Sequence, residues 1–362
     1  MLIRNRLPLI ALAGLALLAG MWAGLNRLGW ALPPLRPAAH GPLMISGFLG
    51  TVISLERVVA FRRRWAYAAP VLAAAGGVAL LIGLPPEISR GLFAGSSAVL
   101  LIAFALSYYQ HYHLKIEWAG LTMIAGAACW LMGNGLWWAG RSLSQVTPWW
   151  IGFLVVTIAG ERLELARVLV LKRASRVMFL LSAGLFLGGL ALSLFAFGAG
   201  LQVSGAGLIA LGAWLLYFDI ARRTIRQTGL TRFIAACLLP GYLWLIVAGV
   251  FWLSWPAYFA GGLFYDAMLH TILLGFVFSM IFGHEPIIVP ALLNLPITYR
   301  PTFYVHLILL HLSLILRVAG DLTVTPPIRM WGGLLNVTAL LIFMGNTILA
   351  VRKQTTESGS GG

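Results

Sequence analysis

His270 and His284 lie fourteen residues apart in the apolar stretch YDAMLHTILLGFVFSMIFGHEPIIVP. On an α-helix, fourteen steps of about 100° return to within roughly 40° of the same face, and about 1.5 Å of rise per residue separates the pair by roughly 21 Å. That places one imidazole in each leaflet of a bilayer whose hydrocarbon core is about 30 Å thick. Ionisable side chains at such depth are costly and point to function by default. For histidine the leading role is ligation of haem or a metal.

Five further histidines accompany them: His40, His111, His113, His306 and His311. His40 and His270 fall at matched depth near one membrane face, which fits two opposed axial imidazoles of a b-type haem. The bland alternative is that each bonds a neighbouring carbonyl. His284 has several candidate partners for a second haem, namely His306, His111 or His113, although the last two sit at a helix end and suit interfacial anchoring. Copper held by His306, His311 and one further histidine is another candidate, because imidazole suits copper. No His-x-x-x-His or Glu-x-x-His spacing of a helical zinc or di-iron site falls on a predicted helix.

Charged residues add to this set. In GERLELARVL, Glu161 and Glu164 are i,i+3 neighbours, as are Glu164 and Arg167, so internal ion pairing between glutamate and arginine can offset burial. Glu161 and Glu164 are alternatively part of a proton path, and Arg162 or Arg167 anchors for haem propionates, because guanidinium suits carboxylates. Arg317 is placed to serve a haem at His270 in the same way. Asp266, one turn before His270, could orient that imidazole or accept a proton. Tyr242, in LLPGYLWL, is the tyrosine expected near a cofactor, with ordinary core packing as the alternative.

The elements that must position these groups follow from composition. The 362 residues are 60% apolar and 10% charged, with mean hydropathy +0.91, which leaves too little polar surface for a soluble domain. Apolar runs predict an all-α polytopic bundle of about twelve transmembrane helices, at 7–30, 38–60, 65–84, 90–112, 117–140, 147–170, 177–197, 200–220, 233–255, 265–290, 301–320 and 329–351. At the segment ends, sixteen Lys and Arg face one side and five the other, so the positive-inside rule puts both termini in the cytoplasm. The net charge of +15 is therefore a topology signal and does not point to nucleic acid. Trp137, Trp138, Trp149 and Trp150 are expected in an aromatic belt, and the glycines of 184–189 and 205–212 at close helix contacts. Pro240-Gly241 is a candidate break in the ninth span. Cys129 and Cys237 are too few for a thiolate metal cluster.

Short loops leave residues 1–352 as one twelve-helix domain, with 353–362 a tail ending in a linker-like SGSGG. The first apolar run reads as an uncleaved span. No P-loop, nucleophile elbow or zinc-protease motif is present.

Several stretches resemble the NnrS family of bacterial haem- and copper-containing membrane proteins linked to nitric oxide stress. They are HGPLMISGFLG in the second span, GYLWLIVAG in the ninth, HTILLGFVFSM in the tenth and LILRVAG in the eleventh. The resemblance implies haem ligation by His40 and His270. The chain departs from the family where Pro42 and Leu43 replace a second His and a Glu, and where NLPITYR replaces a Gly-His pair. The expected function is thus a redox protein of the bacterial cytoplasmic membrane with one or two b haems, handling nitric oxide or dioxygen or relaying electrons to or from quinone. The competing expectation is a transporter or channel for a small solute or metal ion, with a histidine-lined pathway.

Overall fold

A computed structural model of the chain describes residues 6–33, 35, 37–112, 117–166 and 171–357. Among them there is no β-strand. Twelve principal helices follow one another: α1 (Leu7–Leu28), α2 (His40–Phe61), α3 (Trp65–Leu81), α4 (Pro86–Tyr112), α5 (Trp118–Trp138), α6 (Leu143–Leu165), α7 (Arg173–Leu192), α8 (Phe197–Phe218), α9 (Gly229–Ser254), α10 (Leu263–Leu293), α11 (Phe303–Leu322) and α12 (Pro326–Glu357). Eleven are long and apolar enough to cross a membrane, and α3 is shorter. The protein is a multi-pass membrane protein. The predicted run at 65–84 loses its last residues to a helix cap. Gly83 turns left-handed at φ 76°, its N–H donates to Leu80, and the Leu84 N–H donates to the Ala79 carbonyl at 3.0 Å.

The chain divides into two compact units, residues 1–160 and 161–362. In the first, a polar chain joins four helices. Trp130 Nε1 donates to Ser46 Oγ at 3.2 Å, Trp150 Nε1 donates to Asn134 Oδ1 at 2.9 Å, and Asn134 Nδ2 donates to the Phe93 carbonyl at 3.1 Å. Trp137, Trp149 and Trp150 are accordingly buried, and of the four expected belt residues Trp138 alone is exposed. Their large faces pack in the core, and Trp150 also spends its indole N–H there, which a count of interfacial tryptophans does not anticipate.

In the second unit, glycines let helices touch backbone to backbone. A Cβ on Gly189 would meet the Ser204 nitrogen at 2.3 Å, and one on Gly205 the Leu253 nitrogen at 2.6 Å. Helix association in lipid relies on such packing, because lipid tails are as apolar as leucine. Pro240 lies inside a continuous α9, so the expected break is not there.

Two segments depart from α-helical winding. Leu43–Leu49 in α2 and Thr271–Phe278 in α10 are π-helical, and each follows a histidine, His40 or His270. π-Helical turns are rare and concentrate at functional sites. They turn the chain through a smaller angle per residue, so the face predicted to carry both His270 and His284 drifts between them.

Candidate functional site

In the second unit α10 carries His270 one turn after Asp266. His270 Nδ1 lies 2.9 Å from the Asp266 main-chain oxygen and 3.3 Å from its carboxylate Oδ1. A carbonyl only accepts, so Nδ1 carries the proton and Nε2 the lone pair of the neutral ring. Arg317 of α11 grips the same carboxylate with Nε at 2.8 Å and Nη2 at 2.9 Å, a bidentate pair. Arg329 of α12 approaches Asp266 Oδ1 at 3.6 Å and Asp321 Oδ1 at 2.8 Å. Two guanidiniums thus neutralise two carboxylates, which is what permits so many charges within membrane helices.

Glycines bring these groups together. A Cβ on Gly332 would sit 2.5 Å from the Arg317 nitrogen, and one on Gly320 2.4 Å from the Arg329 nitrogen. The α11–α12 hairpin therefore closes only over bare backbone, and that closure sets both arginines beside Asp266. Arg317, expected as a propionate anchor, has two of its three nitrogens on Asp266.

A second buried cluster gathers Arg162, Asp219, Tyr242 and His284. Arg162 Nε and Nη2 donate to Asp219 Oδ2 and Oδ1 at 2.7 and 2.8 Å, and its Nη1 donates to His284 Nε2 at 3.1 Å. His284 Nδ1 donates to the Met280 carbonyl at 2.7 Å. Both ring nitrogens are thus committed, and the Nε2 lone pair that would meet a second haem faces a guanidinium. Asp219 sits at the break after α8, where Oδ1 also accepts from the Ala221 N–H at 2.7 Å. The expected local pairing in GERLELARVL does not use Arg162, whose partner comes from 57 residues away. Glu164 is exposed, Glu161 is half-buried, and Arg167 lies outside the described residues. Tyr242 is fully buried, and its hydroxyl has no hydrogen-bond partner.

His306 and His311 stand on α11 with separate partners. Asn346 Nδ2 donates to the Thr302 carbonyl at 3.3 Å and to His306 Nδ1 at 3.1 Å, while Trp244 Nε1 donates to His311 Nδ1 at 3.1 Å. Each ring therefore accepts at Nδ1 and carries its proton on Nε2, the tautomer opposite to that of His270. Neither Nε2 has a hydrogen-bond partner. Phe282, Phe343, Phe303 and Phe233 surround His306 with ring centroids 4.7, 5.4, 5.8 and 6.0 Å away. Among the described residues no three His, Cys, Asp or Glu side chains converge on a metal-sized site.

In the first unit His40 repeats the geometry of His270. Its Nδ1 lies 2.7 Å from the Gly20 carbonyl, and Gly24 makes room for the ring, since a Cβ there would come 2.9 Å from Cε1. Axial histidines typically donate their second nitrogen to a carbonyl or carboxylate, which fixes ring and tautomer. His40 and His270 fit that requirement. His111 is exposed and bonds the Ser107 carbonyl at 2.8 Å, as an anchoring residue would, and His113 lies outside the described residues.

Sequence reasoning passed over Asp219, Glu285, Asp321 and Asn346. Asp321 stands four residues after Arg317, a helical spacing that could have flagged it. Glu285, buried with Oε1 unpartnered, follows His284 directly and was overshadowed by it.

Fold and site together define an all-helical, multi-pass membrane protein with ionic clusters buried in its second unit. The chain belongs to the family described as a domain of unknown function (DUF8744), whose family model matches residues 6–352. No curated protein and no solved structure matches it.

Proposed function

We propose that the protein is a haem-binding redox protein of a bacterial cytoplasmic membrane, with His40 and His270 each serving as an axial ligand. One observation carries this reading. Both histidines tie Nδ1 to a main-chain carbonyl, and both precede a π-helical turn, whereas His306 and His311 carry the opposite tautomer and the lone pair of His284 faces Arg162. Haem b would supply one-electron chemistry. The protein's own residues hold the imidazoles, and Asp266 balances Arg317 beside His270. The resemblance to the NnrS family and the basic helix ends support nitric oxide or dioxygen chemistry, or electron exchange with quinone, in that membrane. Copper has less support, for want of a converging ligand set.

The test is the absorption spectrum of cofactor-replete purified protein, oxidised and reduced. A Soret band is expected, and its absence overturns the reading. His270→Ala should lose the haem or turn it high-spin, as should His40→Ala, while an unchanged spectrum in either variant removes that residue as a ligand. Transport is the second reading, favoured by the buried Glu285 Oε1 and Tyr242 hydroxyl, which have no hydrogen-bond partner. It leads if no haem binds and reconstituted vesicles move protons or a metal ion.

A further inference from the structure

A cavity of about 150 Å³ opens in the first unit between the end of α2, the start of α3 and the last turns of α4. Its lining is mixed, with Arg63, Ser107, Gln110 and His111 polar and Phe61, Ala103 and Leu106 apolar. Arg63 Nη2 donates to Gln110 Oε1 at 3.3 Å, which holds the guanidinium at the mouth. No acidic side chain lines the cavity. Glu56, about two turns before Arg63, pairs with Arg57 at 3.4 Å. Arg63 lines the pocket, and Arg62 and Arg64 flank it in sequence, so three consecutive cations lie at this end of α2.

We propose that this pocket binds the phosphate headgroup of an anionic phospholipid. A cavity of about 150 Å³ takes a guest the size of benzene, enough for a phosphodiester and too small for a whole lipid. The rest of the lipid has an exposed apolar path, since Leu106 and Trp65 at the cavity wall are 46% and 45% exposed. Guanidinium recognises phosphate oxygens with directed, charge-assisted bonds, and basic pockets between membrane helices are suited to anionic headgroups. The inference is independent of the haem reading.

The experiment measures lipid retained by the full chain in detergent, by native mass spectrometry, with phosphatidylglycerol or phosphatidylcholine added at equal concentration. Phosphatidylglycerol should be retained roughly tenfold better, and Arg63→Gln should remove that advantage, a tenfold change being about 1.4 kcal/mol. Excess inorganic phosphate should not displace the lipid. Equal retention of both lipids, or an unaltered preference in Arg63→Gln, overturns the proposal. Displacement by inorganic phosphate also overturns it, in favour of a soluble-anion site. If Arg63→Gln fails to fold, Leu106→Glu, which sets a negative charge on the exposed apolar wall, must abolish the preference instead.

Discussion

Replacing Asp219 by asparagine should destabilise the second unit more than any single exposed charge change, and the buried geometry sets the size. Asp219 accepts from Arg162 Nε and Nη2 and from the Ala221 N–H, all within 2.8 Å, with both side chains almost fully buried. An asparagine keeps one acceptor oxygen but turns an NH₂ group toward a donor and leaves the guanidinium uncompensated. Breaking a buried pair from one side costs about 3–5 kcal/mol. Arg162→Met should cost a similar amount, because it strands the carboxylate. The double variant removes both charges and should cost about 2 kcal/mol or more less than the sum of the singles, a coupling large enough to resolve in a double-mutant cycle. Denaturant unfolding in detergent micelles, followed by tryptophan fluorescence, gives the three values. Additivity, or single-variant costs under about 1 kcal/mol, would refute the reasoning, because surface pairs behave that way.

Two further outcomes follow from packing. Gly332→Ala, whose new methyl meets the Arg317 backbone, should open the α11–α12 contact and lower the thermal midpoint in detergent, whereas Gly345→Ala, with nothing within 4 Å, should not. His306→Phe should be neutral or stabilising by up to about 1 kcal/mol, since it replaces an imidazole with an orphaned Nε2 by a ring suited to its phenyl surroundings. A large loss of stability, or of bound haem or metal, would show that His306 has a ligand role.

Hydrophobic run length made the helices legible because a bilayer imposes one requirement on every span, about twenty apolar residues with all backbone groups satisfied internally. α3 is the informative exception, since its end was decided by Gly83 and not by the apolarity that continues past it. His40 and His270 stood out because each is an ionisable residue within an apolar run. Pairing was not legible. Arg162 and Asp219 are 57 residues apart, Asp266 and Arg317 51, and nothing local marks either pair. The sequence-local reading paired Glu164 with Arg167 and gave Arg162 a role as a propionate anchor. In lipid, a charge selects whichever opposite charge the packing brings within reach, because none can be left to water.

The two histidines of α10 are separated less by distance than by what each neighbour demands. Fourteen residues set them on one face only if every turn is α-helical, and the π-helical stretch from Thr271 to Phe278 breaks that count. Each ring nonetheless donates Nδ1–H to the carbonyl four residues before it, so the helix fixes the same tautomer at both. What differs is the third party. Beside His270 the guanidinium of Arg317 is spent on Asp266, and the carboxylate lies on the Nδ1 side, behind the ring as seen from Nε2. Beside His284 the carboxylate of Asp219 holds Arg162 so that its remaining nitrogen donates into Nε2 itself. A positive charge at the lone pair lowers its donor strength toward any cationic iron or copper, whereas a negative charge behind the ring raises it. An Asp–Arg pair thus stands beside each imidazole in opposite orientation, which is why the proposed haem ligation falls to His270 and not to His284.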